Sequence, residues 1–245
     1  MTSTPRTWRR LAMLARTPRR GRGFWFSVAI DVLWPVAMAL IVPVWRGGER
    51  VPASGPVLLA SNHVSFVDPI TETAFVLAHG RIPRYLAKAS LWRVPVIGRV
   101  LSGGGHIPVH REGREALLAY RGAVQALERG EAVLVYPEAT FTTDPDGWPM
   151  QGKTGIAKMA LTSGAPVVPI AHWGGQRVLP HGKYLPRLLP RKKVYTYVGE
   201  PVDLSDFAGQ PMSRTVLTAA TDRIMAAITE LLKEIRSTET QTEIN

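Results

Sequence analysis

Apolar positions across residues 51–193 fall into short runs separated by stretches of helical period, the pattern of an α/β domain. The runs that predict strands are Val57–Ala60, Tyr85–Ala87, His106–Val109, Ala132–Tyr136, Val167–Ala171 and Val194–Val198. Between them, Glu112–Arg129 places Leu117, Tyr120, Val124 and Leu127 on one face and meets Gly130, a residue suited to a carboxyl-terminal cap. A second amphipathic face, carrying Leu217, Ile224, Ile228, Leu231 and Ile235, runs through Ser213–Arg236 and is expected to pack on the sheet. The expected fold class is therefore α/β: a single domain with a mixed central sheet flanked by helices.

One segment breaks this pattern. Phe24–Trp45 is apolar nearly throughout, with Asp31 its only charge and Trp25, Trp34 and Trp45 spaced along it as aromatics are at a membrane interface. An unbroken helix of that length would reach roughly 33 Å and could span a bilayer. Pro35 and Pro43 each remove a backbone donor, so the segment reads as two short apolar pieces dipping into one leaflet. Two plainer readings compete: a signal peptide, because Ala37-Met38-Ala39 has the small-x-small form, and a helix that packs on the core. The chain divides into an N-terminal membrane-associating helical segment, residues 1–48, and one folded domain, residues 49–245.

Composition narrows the picture. A chain of 245 residues, 45% hydrophobic, buries one full core, and two independent domains would be cramped. With no cysteine, disulfides, thiolate metal sites and a cysteine acyl-enzyme are excluded. The net charge is +11, yet residues 1–23 carry seven arginines and no acid, which leaves about +4 for everything after them. Such a cluster suits nucleic-acid phosphates or anionic lipid equally. The apolar segment directly after it points to lipid and away from nucleic acid.

The candidate chemistry lies in Asn62-His63-Val64-Ser65-Phe66-Val67-Asp68-Pro69, where the first strand of the domain ends and a helix begins. Five positions on a regular helix turn about 500°, which separates His63 from Asp68, so a turn must bring them together. Pro69 suits the first position of a helix and leaves Asp68 as its amino-terminal cap. An alcohol is a poor nucleophile near neutral pH, and a neutral imidazole on its proton is the usual remedy. Asp68 would fix the ring tautomer and stabilise the imidazolium, with the hydroxyl supplied by substrate. No G-x-S-x-G nucleophile elbow and no H-E-x-x-H zinc signature occurs in the chain.

These residues resemble the first motif, N-H-x-S-x-x-D, of the 1-acylglycerol-3-phosphate acyltransferase family. Its second motif is matched by Gly105-His106-Ile107-Pro108-Val109-His110-Arg111, and the resemblance implies that Arg111 holds the glycerol phosphate. The third, F-P-E-G-T-R, appears as Tyr136-Pro137-Glu138-Ala139-Thr140-Phe141, with Ala139 in place of glycine and Phe141 in place of a phosphate-binding arginine. Lys153 is the expected substitute for that arginine. The fourth is matched by Pro166-Val167-Val168-Pro169-Ile170. By this resemblance residues 49–245 form an acyltransferase domain, His63 and Asp68 are the catalytic pair, and Asn62, Arg111, Glu138, Thr140 and Lys153 bind substrate. A strand-end Glu138 that caps backbone amides is the plain alternative for that residue.

The resemblance implies transfer of a fatty acyl group from acyl-CoA or acyl carrier protein to lysophosphatidic acid, giving phosphatidic acid. The partners expected are membrane lipid and the thioester carrier, with no bound cofactor and no metal. The expected location is the cytoplasmic face of the plasma (inner) membrane. Two rivals stand beside this reading: acyl transfer to a lipid-linked sugar or ornithine lipid, and a non-catalytic basic protein that binds anionic lipid or nucleic acid.

Gly147-Trp148-Pro149-Met150-Gln151-Gly152-Lys153-Thr154 also satisfies the P-loop pattern G-x-x-x-x-G-K-[ST]. A working P-loop follows a strand directly and offers successive backbone N–H groups, whereas Pro149 has none and Trp148 would crowd the loop. Nearby, Asp144-Pro145-Asp146-Gly147 is an ordinary turn sequence and lacks the further spaced ligands of a calcium loop.

Overall fold

The computed structural model describes residues 18, 21–109, 114–180, 183 and 185–244. Its strands are β1 Ile41–Arg46, β2 Val57–Ser61, β3 Pro83–Lys88, β4 Ile107–Val109, β5 Ala132–Val135, β6 Val167–Trp173 and β7 Lys192–Val198. They form one sheet in the order β1-β7-β6-β2-β5-β3-β4. β6 and β7 are antiparallel and every other neighbouring pair is parallel, so the sheet is mixed. β2 and β5 are buried along their whole length, which is why their sequences are apolar without alternation.

The helices are α1 Phe24–Leu40, α2 Asp68–Ala78, α3 Ile97–Gly103, α4 Arg114–Glu128, α5 Gly155–Ser163, α6 Gly175–Val178 and α7 Arg214–Ile244. On one face of the sheet, Leu58 and Val133 meet Ala123 and Leu127 of α4, Ile156 of α5 and Ile224 and Ile228 of α7. On the other, Leu59, Leu134 and Val168 meet Phe75 and Val76 of α2. α1 lies outside α2, with Trp34 packed on Ala74 and Leu77. Gly130, just past α4, has φ +77°, the left-handed conformation expected of a glycine there.

The apolar amino-terminal segment departs from expectation. It does not make two membrane pieces: Phe24–Leu40 is one helix containing Pro35, and Ile41–Arg46 is a strand of the sheet. Pro43 pairs in register with Val194 of β7. It is tolerated because β1 is the outermost strand, where a missing N–H leaves no ladder bond unmade on the open side. The sheet therefore begins at Ile41, inside the stretch assigned to the membrane-associating segment. Among the described residues, no helix is long and apolar enough to cross a membrane.

Candidate active site

Three adjacent parallel strands, β6, β2 and β5, deliver side chains to one edge of the sheet, at their carboxyl ends. β2 leads into the turn that carries His63, β5 into Tyr136 and Glu138, and β6 ends with His172 and Trp173. The turn after β2 closes with the amide of Asp68 donating to the carbonyl of Ser65 at 3.1 Å. This brings His63 and Asp68 together, with His63 Nδ1 3.0 Å from Asp68 Oδ2.

Asp68 is not the cap of its helix, as its place before Pro69 suggested. It is the first residue of α2, preceded by Val67 as cap, and its carboxylate folds back over the turn. Oδ2 accepts the amides of Val64 and Ser65, each at 2.7 Å, as well as the His63 ring. The preceding turn thus presents its N–H groups to the carboxylate that orients the histidine. Because an ionised carboxylate only accepts, the His63 ring donates to it from Nδ1.

The surroundings of Asp68 favour its ionised form. Burial alone would raise the Asp68 carboxyl, but the charges of His172 and His63, with the His63 hydrogen bond, outweigh it and hold Asp68 well below the ordinary carboxylate range. Nearby, burial pushes Glu72 up to about 7, although the hydroxyls of Ser61 and Tyr136 both donate to it. The His63 ring is stacked on Tyr136, centroids 4.0 Å apart, and lies 4.0 Å from Phe141, which in turn meets Phe66 edge-on at 4.5 Å. Aromatic walls thus hold the ring.

The residues expected to bind substrate fare differently. Asn62 is buried, donates from Nδ2 to the carbonyl of His172 at 3.0 Å and accepts that residue's amide on Oδ1 at 2.7 Å. With both ends of its amide bonded to His172, Asn62 ties together the strands β2 and β6. Glu138 is also buried and caps backbone amides, Oε1 for His63 at 3.2 Å and Oε2 for Met150 at 2.9 Å. Burial pushes its carboxyl up to about 7. Thr140 and Lys153 are exposed on the loop after β5, and Lys153 is held there by its backbone amide, which donates to the carbonyl of Pro137 at 2.8 Å. Arg111 lies outside the described residues.

Ala139, where the motif has glycine, adopts φ +59°. The position demands left-handed backbone, and the alanine accepts strain to supply it. The P-loop pattern ends just before α5 and follows no strand, and Asp144 Oδ1 caps the amides of Asp146 and Trp148 in a plain turn. Among the described residues, no group of acidic or histidine side chains could hold a metal ion.

Sequence reasoning missed His172. Its position at the end of β6, beside the strand that carries His63, was the one available signal.

Comparison with known proteins agrees with this geometry. A family model described as Acyltransferase matches residues 43–173. The chain is 31% identical over 163 residues to the 1-acyl-sn-glycerol-3-phosphate acyltransferase BAT2, chloroplastic, of Brassica napus, covering 64% of this chain and 45% of that protein. It is 31% identical over 139 residues to the 1-acyl-sn-glycerol-3-phosphate acyltransferase of Borreliella burgdorferi, covering 56% and 52%. The chain thus spans about half the length of the curated relatives it matches. The crystal structure of the 1-acyl-sn-glycerophosphate (LPA) acyltransferase PlsC from Thermotoga maritima has the same fold, with a TM-score of 0.63 at 20% identity over 94% of this chain and 98% of that one. The matched span runs from the edge strand through the turn that carries His63 to the strand that ends beside it, and by that match the chain belongs to the acyltransferase family.

Proposed function

We propose that this protein transfers a fatty acyl group from a thioester, acyl-CoA or acyl carrier protein, to the free hydroxyl of lysophosphatidic acid, forming phosphatidic acid. The observation that carries the reading is the His63–Asp68 contact at the carboxyl end of the central strands. His63 Nε2 takes the hydroxyl proton as the oxygen attacks the thioester carbonyl. The tetrahedral intermediate then collapses, the C–S bond breaks, and the leaving thiolate recovers that proton from His63. Asp68 stays ionised throughout and stabilises the imidazolium. General-base catalysis of this kind contributes about 10² to 10⁴ in rate. The step needs no bound cofactor or metal, and Arg111 and Lys153 are assigned to the acceptor's phosphate.

The surface supports residence on a membrane. α1 exposes Phe24, Trp25, Val28, Val32, Leu33 and Val36 while burying Phe26 and Trp34. From the connection after β6 into the start of β7, residues 183–193 hold five of the chain's basic residues and no acidic one, interleaved with Leu185 and Leu189, both largely exposed. Apolar faces flanked by cations suit the anionic cytoplasmic leaflet.

Phe141 favours a second reading, acyl transfer to an acceptor without phosphate, because an aromatic ring lies against His63 where the motif places a cation. One experiment addresses both readings. Purified protein is given acyl-CoA with lysophosphatidic acid or with a phosphate-free acceptor, wild type beside His63→Ala, and thiol release is followed. Release that depends on His63 and on lysophosphatidic acid supports the first reading; release with the phosphate-free lipid alone supports the second. Equal release by wild type and His63→Ala overturns both.

A further inference from the structure

The motifs give His172 no role, yet its side chain is buried completely and directed at the back of the catalytic carboxylate. Its Nδ1 lies 3.0 Å from Asp68 Oδ1, and its Nε2 lies 2.7 Å from the Thr71 hydroxyl. Asn62 clamps the His172 backbone from both sides. Gly175 seals the remaining approach: a Cβ there would stand 2.5 Å from Asp68 Oδ1 and 3.1 Å from the His172 ring.

The two carboxylate oxygens are therefore divided. Oδ2 serves His63 and two turn amides, while Oδ1 faces His172. The Oδ1 contact is close but falls short of an aligned hydrogen bond, and neither atom has another hydrogen-bond partner among the described residues. It acts mainly through charge, in surroundings where the low dielectric strengthens it. The titratable groups bearing on His172 are Asp68 and Glu72 of α2, and from β7 it meets the uncharged Thr196. Those around His63 are Asp68, the stacked Tyr136 and Glu138, which holds the His63 amide.

We propose that His172 is a positioning residue for acyl transfer: by drawing on Oδ1 it moderates the charge that Asp68 presents at Oδ2, and so sets how firmly His63 retains a proton. This rests on His63 as the base. With His172 in place, part of the carboxylate's charge is engaged at the far oxygen, and His63 remains an unprotonated base at lower pH. Without it, Oδ2 carries the undivided charge and holds the imidazolium to higher pH. The Thr71 hydroxyl donates to the carbonyls of Val67 and Asp68, so Nε2 of His172 is the donor to Thr71, and positive charge faces Oδ1 when Nδ1 is protonated as well, the form that Asp68 and Glu72 favour.

The test measures His63 directly, without substrate. Full-length protein in detergent micelles is treated with diethyl pyrocarbonate across a pH series, and modification of the His63 peptide is followed by mass spectrometry. In His172→Leu the midpoint of reactivity should rise by about one pH unit, so that modification below the midpoint slows about tenfold. His172→Asn, which returns an N–H donor near the place of Nδ1, should recover most of that shift. Thr71→Val keeps the ring and its packing but removes the partner of Nε2, and should give a smaller rise. It remains informative if the leucine variant does not fold. Unchanged midpoints in the folded variants overturn the proposal, as does an equal shift in the leucine and asparagine variants, which would assign the effect to lost packing. Because no acyl transfer is measured, a failed lysophosphatidic acid assay would bear on the proposed function alone.

Discussion

The ring of Tyr136 lies flat against the ring of His63, planes 10° apart, while its hydroxyl reaches past the ring to donate to Glu72 at 2.5 Å. One side chain from the end of β5 thus shapes the wall of the active site and satisfies a carboxyl buried behind it. The two duties can be separated by substitution.

Tyr136→Phe keeps the stack, and kcat should stay within about threefold of wild type. Tyr136→Leu removes the planar wall, and kcat should fall roughly tenfold, since an aromatic pair is worth about 0.5–1.5 kcal/mol. Steady-state kinetics on the two variants distinguish a ring effect from a hydroxyl effect.

Glu72 predicts a pH-dependent stability. With burial raising its carboxyl to about 7, the folded protein keeps a proton that the unfolded chain releases near 4.5. Folding is then penalised progressively as pH rises from about 4.5 to 7, and the penalty is constant above that. Glu72→Gln escapes it, so the variant should gain roughly 2–3 kcal/mol over wild type at pH 8 and nothing at pH 4.5. Denaturant unfolding at the two pH values checks this; a gain that is the same at both would refute it.

Ala139 is strained by its left-handed backbone, φ +59°. Ala139→Gly relieves a cost of about 1–2 kcal/mol and gives back part of it as chain entropy, so a net gain of about 0.5–1 kcal/mol is expected. Thermal unfolding should shift upward by about 2–3 °C with activity retained.

Asn62→Ala leaves the amide and carbonyl of His172 without their side-chain partners inside the protein. The expected loss is about 2–4 kcal/mol, read by chemical denaturation. A variant of wild-type stability would mean that β6 is held at this point by other contacts.

Much of the fold and the meeting of His63 with Asp68 was legible because their signals are local. The buried parallel strands announce themselves as unbroken apolar runs, and Pro69 marks the start of α2 close to where it begins. β1 was not legible: its partner β7 lies some 150 residues along the chain, and an apolar run interrupted by Pro43 looks the same on a sheet edge as in a lipid leaflet. Asn62 and Glu138 have residue types that suit substrate binding, and only the approach of β6 and the loop after β5 shows that their polar atoms also hold backbone groups of the protein. His172 meets Asp68 from 104 positions along the chain, a pairing that parallel topology creates and no spacing rule reveals.

Because α1 passes into β1 with no linker, at Leu40 and Ile41, whatever seats that helix also fixes the attitude of the sheet and the direction in which its His63 edge faces. Trimming residues 1–46 to obtain a more tractable fragment would remove a load-carrying border along with the greasy stretch. The bared rim of β7 would then be free to recruit strands from other molecules, and clumping would be the outcome of an attempt at solubility.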